Sequence, residues 1–207
     1  MKTENFHTTN TLPLMEAFYT LQGEGYHSGK AAYFIRLAGC DVGCFWCDVK
    51  ESWEAEKHPQ VTVNEIVEMA CQHPSRLAVI TGGEPLMHNL ETLTTNLKTI
   101  GFQTHIETSG AYPLSGHFDW ICLSPKRFKP ALDEFFLIAN ELKVVIFKEK
   151  DLIWAEGFAS RVSKDCQLFL QPEWDKAPTV LPLIMNYIKD NPKWRISLQT
   201  HKYMDIP

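Results

Sequence analysis

The sequence predicts an α/β fold, a partial (incomplete) β/α barrel with a mainly parallel sheet, on three observations. Apolar, β-rich runs alternate with helical patterns, as βα units do. Almost every run ends in a polar or glycine-containing tag, and in a parallel barrel such ends converge on one rim. The chain has 207 residues, enough for one core but short of the roughly 250 of a complete eight-unit barrel.

A single domain over 1–207 is expected, with about 1–12 as a flexible lead, since no repeat, low-complexity tract or Pro/Gly-rich linker divides the chain. The strand-like runs are "AAYFIRLAG" (31–39), "RLAVITGG" (76–83), "FQTHIETSG" (102–110), "FDWICLSPK" (118–126), "ELKVVIF" (141–147), "CQLFLQPEW" (166–174) and "WRISLQTHKY" (194–203). Thr62 and Glu65 form a capping-box pattern ahead of "IVEMAC". A helix from about Met87 to Ile100 meets Gly101, a natural C′ residue. "PTVLPLIMNYIKDNP" reads as an amphipathic helix stopped at Asn191-Pro192, with Pro182 in its first turn. The tags are "QGEG", "GC", "TGGEP", "ETSG", "SPK", "QPEW" and "QTHKY". Seven tags on one rim describe a pocket.

Composition narrows the function. A formal charge of −5 with 22% charged residues gives no attraction for polyanions, so nucleic acid is not an expected partner. No segment approaches 18 consecutive apolar residues, and the N-terminus lacks the apolar run of a signal peptide, so neither a membrane span nor secretion is expected. Cys40, Cys44 and Cys47 lie within eight residues, while Cys71, Cys122 and Cys166 are scattered. That crowding suits a metal site in a reduced, cytoplasmic compartment better than a disulfide framework.

Three thiolates leave two metals open. Structural zinc needs a fourth ligand, such as His27 or His58, at an irregular spacing. An iron–sulfur cubane held by three cysteines keeps one iron for a small molecule. For the scattered cysteines, apolar packing is the expected role.

The aromatic Trp46 directly before Cys47 makes C-x3-C-x-aromatic-C, and "TGGEP" follows at 81–85. Together these resemble the radical S-adenosylmethionine (SAM) enzymes, and the barrel is then expected to be of that type. "YTLQGEG", "FIRLAGC", "ICLSPK", "NELKVVI", "FLQPEW" and the closing "WRISLQTHKYMDIP" narrow the resemblance to the 7-carboxy-7-deazaguanine synthase (QueE) family, from about Phe18 to Pro207. That resemblance implies a lyase of queuosine and 7-deazapurine biosynthesis. It converts 6-carboxy-5,6,7,8-tetrahydropterin to 7-carboxy-7-deazaguanine with loss of ammonia, using a deoxyadenosyl radical and regenerating SAM.

It further implies a [4Fe-4S] cluster on Cys40, Cys44 and Cys47. Substrate would meet Leu21, Gln22, Gly23, Arg36, Thr81 and the Pro207 carboxylate, with His201 inside the closing motif. SAM would meet Trp46, Gly83, Ser109, Ser124, Pro125, Lys126 and the strand end Gln171, Pro172, Glu173 and Trp174. A flavodoxin or ferredoxin would supply electrons to a homodimer. Chemistry agrees: Gln22 and Glu24 offer an amide and a carboxylate to a pterin edge, and Arg36 a planar cation to the substrate carboxylate. Arg36 lies in an apolar run, where an unpaired charge is costly, which favours such an anion. Magnesium is the departure. The family carries a hydroxyl two positions after the last cysteine, where this chain has Val49, and magnesium takes hard oxygen ligands. It would bind through water and substrate, or be dispensable.

Glycyl-radical-enzyme activases are the rival enzyme class. A non-catalytic iron–sulfur or zinc protein is the other alternative.

Overall fold

An antiparallel pair, β1 (Thr11–Leu21) and β2 (Ala31–Leu37), opens the described part of the chain, residues 10–207 of a computed structural model. The short β3 (Gln60–Thr62) adds to the outer edge of β1, pairing Leu12 with Val61. Residues 11 and 12 were expected in the flexible lead; instead they are strand, because Leu12 is buried in the core. Asn10 precedes the strand, and residues 1–9 of that lead lie outside the described residues. From β2 onward all strands are parallel: β4 (Leu77–Gly82), β5 (Gln103–Thr108), β6 (Trp120–Leu123), β7 (Glu141–Ile146), β8 (Gln167–Pro172) and β9 (Trp194–Ile196). The order is β3-β1-β2-β4-β5-β6-β7-β8-β9, an open sheet matching the expected partial barrel.

Helices cover one face. The first, α1 (Val63–Cys71), carries the full Thr62/Glu65 capping box, an arrangement worth about 1 kcal/mol. The second, α2 (Glu91–Thr99), starts four residues later than expected: Pro85–Met87 forms a separate 3-10 turn, and Asn89 Oδ1 accepts from Glu91 N. Asp133–Ile138 (α3), Lys150–Ala159 (α4) and Ala177–Asp190 (α5) follow β6, β7 and β8. Pro178 occupies the first turn of α5, whereas Pro182 lies inside the helix and leaves the Pro178 carbonyl without its intrahelical donor.

Strand parity divides the residues. Ile35, Leu37, Ile80, Ile106, Leu142, Val144 and Leu170 join the core beneath the helices. Their alternates Arg36, Thr81, Glu107, Lys143 and Gln171 line a cavity on the other face. Among the described residues no helix is long and apolar enough to cross a membrane. The expected strand 194–203 stops at Ile196; Thr200–Met204 is a helical turn (α6), and Asp205 takes a left-handed conformation (φ 54°). That turn sends Ile206 and Pro207 back to the cavity.

Candidate active site

All seven strand-end tags contribute to one cavity of about 510 Å3. Cys40, Cys44, Cys47 and Trp46 form part of its wall, on a loop after β2 in which Cys40 N donates to Trp53 O (3.1 Å) and Cys47 N to Cys44 O (3.0 Å). Burial pushes the Cys40 thiol up and the Cys44 thiol to about 11, the latter against the pull of Lys126. Such thiols ionise only for a strong electrophile such as a metal centre. Among the described residues no group of three His, Cys, Asp or Glu is placed to hold a single metal ion. Three cysteines on one short loop suit a cluster, in which each thiolate takes a different iron. The tag after β4 abuts this loop: a Cβ on Gly83 would stand 2.4 Å from Gly39 O and 2.8 Å from Cys40 Cβ, so only glycine fits.

Beside the cysteines, Glu84 is 1% exposed and its carboxylate accepts from Thr108 Oγ1 (2.6 Å), Ser109 N (2.8 Å) and Ser109 Oγ (2.5 Å). This fixes Ser109 just after β5; the sequence reading took "TGGEP" as a motif of the radical SAM resemblance and gave Glu84 no role of its own. After β6, Lys126 Nζ donates to Ser124 O and Oγ, both at 2.6 Å, and lies 5.8 Å from the centre of the Trp46 ring. Its burial lowers the ammonium pKa. Pro125, expected beside them, is buried and does not line the cavity. After β8, Gln171, Pro172, Glu173 and Trp174 all line it. Ser197 Oγ donates to Gln171 Oε1 (2.7 Å), and Trp174 packs edge-on to Tyr203.

Opposite lie Leu21, Gln22, Gly23 and Glu24. The Gln22 amide is engaged within the protein, accepting from Glu24 N and donating to Glu107 Oε1, each at 3.0 Å. Lys143, on β7, binds both Glu24 and Glu107 (3.1 Å) although its side chain is only 4% exposed. Burial raises the Glu24 pKa, but Lys143, Gln199 and His201 outweigh it and hold the carboxyl below its usual range. Burial likewise opposes the Lys143 charge, and Glu107 and Glu24 overcome it, raising its pKa well above normal. Glu107 and Lys143 were missed as site residues. Their signal is parity: a charge among the inward positions of an apolar strand.

Arg36 also faces the cavity, next to Thr81. The anion expected from its place in an apolar run is partly internal: Glu16 Oε1, across the strand pair, lies 2.7 Å from Arg36 Nε. That contact lacks hydrogen-bond alignment, so Nε makes no hydrogen bond among the described residues. His201 packs on Gly23, where a Cβ would sit 2.2 Å from its Nδ1. Burial lowers the His201 pKa. Val49 lines the cavity with no oxygen to offer, and neighbouring Asp48 accepts from Lys202 Nζ (2.7 Å) and Gln199 Nε2 (3.3 Å).

Comparison with known proteins matches this geometry. The chain is 57% identical to the 7-carboxy-7-deazaguanine synthase of Flavobacterium psychrophilum, over 95% of this chain and 93% of the relative. It is 49% identical to that of Synechocystis sp., over 96% and 95%, respectively. The chain belongs to the 7-carboxy-7-deazaguanine synthase family. Within it, the enzyme of Escherichia coli K12 is 34% identical over 94% of this chain and 98% of its own. A crystal structure of QueE from Escherichia coli superposes with a TM-score of 0.80, covering 91% of this chain and 93% of that one at 32% identity. Residues 21–113, which include the three cysteines, match the model of a 4Fe-4S single cluster domain.

Proposed function

We propose that this chain is itself a 7-carboxy-7-deazaguanine synthase, a radical SAM lyase that converts 6-carboxy-5,6,7,8-tetrahydropterin to 7-carboxy-7-deazaguanine with loss of ammonia. The observation that carries the reading is the meeting, in one cavity, of the three-cysteine loop with the polar inner face of β2, β4, β5 and β7. A glycyl-radical-enzyme activase would not need that polar pocket, and a cluster carrier without turnover would not need a cavity.

Cys40, Cys44 and Cys47 would hold a [4Fe-4S] cluster, which when bound supplies the single electron that cleaves SAM. The chain's own residues bind and orient. Ser109, Ser124, Lys126 and the strand end 171–174 flank the cysteine wall and suit SAM. On the far wall, Glu24 and Glu107 are acceptors for the N–H groups of an aminopyrimidine edge, and Lys143 bridges the two carboxylates without entering the reaction. The guanidinium edge of Arg36 serves the substrate carboxylate, with Thr81 beside it. His201, Ile206 and Pro207 close that side. Magnesium finds no side-chain oxygen at Val49, so such an ion would bind through water and substrate, or be dispensable.

One catalytic domain over 1–207, a homodimeric state, a cytoplasmic location and an electron-carrier protein complete the proposal. The test is anaerobic incubation of the reconstituted protein with reductant, SAM and the carboxypterin, with mass detection of the product. A reduced cluster with SAM cleavage but no deazaguanine would sink the substrate assignment.

A further inference from the structure

The wall that carries Arg36 contains a break in strand register. Leu14 pairs with Leu37, but the next pair is Glu16 with Arg36, so Met15 is an extra residue on β1, a bulge. Its effect is visible in the side chains. Leu12 and Leu14 belong to the core before the bulge, whereas Ala17 and Tyr19 pack against it afterwards, and Phe18 faces the cavity. An unbroken ladder would set Met15 opposite Arg36 and send Glu16 and Phe18 to the core face, because a one-residue slip exchanges the two faces of a strand. The bulge instead gathers two cross-strand pairs around the guanidinium. Glu16 Oε1 stands 2.7 Å from Arg36 Nε, and the Phe18 ring stacks on Phe34 at 5.5 Å with the planes 6° apart. The pairs are joined diagonally: Arg36 Cζ lies 5.8 Å from the centre of the Phe18 ring, within cation–π range. Phe18, Phe34 and Arg36 all line the cavity.

We propose that Glu16 and Phe18 are positioning residues, which hold the Arg36 guanidinium so that its free edge meets a planar carboxylate on the substrate. The inference deepens the proposed function and rests on Arg36 binding that carboxylate. An arginine that swings freely loses rotamer freedom when it grips an anion, and a fork already set in place loses less. With Nε turned to Glu16 and the guanidinium beside the Phe18 ring, the terminal nitrogens are left for two parallel N–H bonds. Glu16 also repels the incoming anion. Its side chain is 46% exposed, so water screens that longer-range repulsion more than the direct contact with Arg36, and orientation outweighs it. The frame therefore selects a ring that bears a carboxylate over the same ring without one.

The experiment compares wild type, Glu16→Gln, Glu16→Asp and Phe18→Leu as reconstituted holoenzymes. Michaelis parameters are measured for the carboxypterin, and inhibition constants for 6-methyl-5,6,7,8-tetrahydropterin, the same ring with a methyl group in place of the carboxylate. Glu16→Gln should raise KM for the carboxypterin about tenfold while kcat moves much less, the pattern of an interaction lost in binding. Phe18→Leu should shift KM in the same direction. Glu16→Asp, which keeps the charge, should recover part of the loss. Inhibition by the methyl analogue should stay near the wild-type value in both Glu16 variants, because it offers Arg36 nothing to hold. An unchanged or lowered KM in Glu16→Gln overturns the proposal. So does an equal loss of affinity for the methyl analogue, which would make Glu16 a brace for the sheet. A wild-type protein that binds the carboxypterin no more tightly than the methyl analogue would instead remove the reading beneath it, and that is visible before any variant is made.

Discussion

Lys143 Nζ stands 3.1 Å from Glu107 Oε2 inside the sheet, and it also binds Glu24 from the loop after β1. One buried cation thus holds two carboxylates. Without it they would repel each other in a low-dielectric wall, with no buried cation to offset their desolvation. Lys143→Met is expected to cost about 3–5 kcal/mol of stability and to raise the Michaelis constant for the carboxypterin. Thermal denaturation and initial rates check it; a variant with wild-type melting temperature and affinity would show that the triad is idle.

Replacing Cys40, Cys44 or Cys47 with Ala should abolish cluster assembly and turnover. Alanine at Cys71, Cys122 or Cys166 should spare both. Iron and sulfide analysis of the six variants decides it, and a Cys122 variant that lost iron while a Cys44 variant kept it would refute the ligand set.

Val49 predicts weak magnesium dependence. Titrating turnover with Mg2+ in wild type and Val49→Thr should show a gain in the variant only, since threonine adds a hard oxygen at the cavity wall. If EDTA-treated wild type is inert and the variant gains nothing, the missing hydroxyl is not the cause.

Acid sensitivity should come from beneath the cavity, where the rings of His27 and His105 lie 4.5 Å apart beside Trp120. Burial lowers both to about 4, Lys30 adding to the effect and Asp119 opposing it at His105. Folded-state values below the unfolded 6.5 mean that the unfolded chain binds more protons between those limits. Stability is therefore full above about pH 6.5 and falls as pH drops towards 4. His105, 6% exposed, would contribute on the order of 3 kcal/mol to that fall. Urea midpoints from pH 7 to 4.5 should drop less steeply in His105→Leu than in wild type; parallel slopes would refute the assignment.

The parts legible in the sequence were those written locally. The cysteine spacing, the capping box and the tags after β2, β4, β5, β6 and β8 each depend on a few adjacent residues. β1 was not legible as a strand, because "TLPLMEAFYTL" contains Pro13 and no clean alternation, and its pairing with β3 is set by the fold. The helical turn at 200–204 hid behind the β-rich run before it. Lys143 was quoted within a motif, yet its partners come from a loop and another strand, and no local pattern announces such a triad.

Thr200 donates to Gly23 O through both its amide (2.9 Å) and its hydroxyl (2.8 Å), and Gln199 reaches Glu24 (3.0 Å) and Asp48 (3.3 Å). These bonds join segments that leave the ribosome far apart in time: 151 positions separate Asp48 from Gln199, or about 8–30 s at elongation speeds of roughly 5–20 residues per second. Throughout that interval the nascent cysteine loop lacks the segment that covers the neighbouring cavity. Metal loading and oxidative damage would then compete on an unfinished chain, and slower translation between residues 50 and 199 would lengthen the exposure without altering one amino acid.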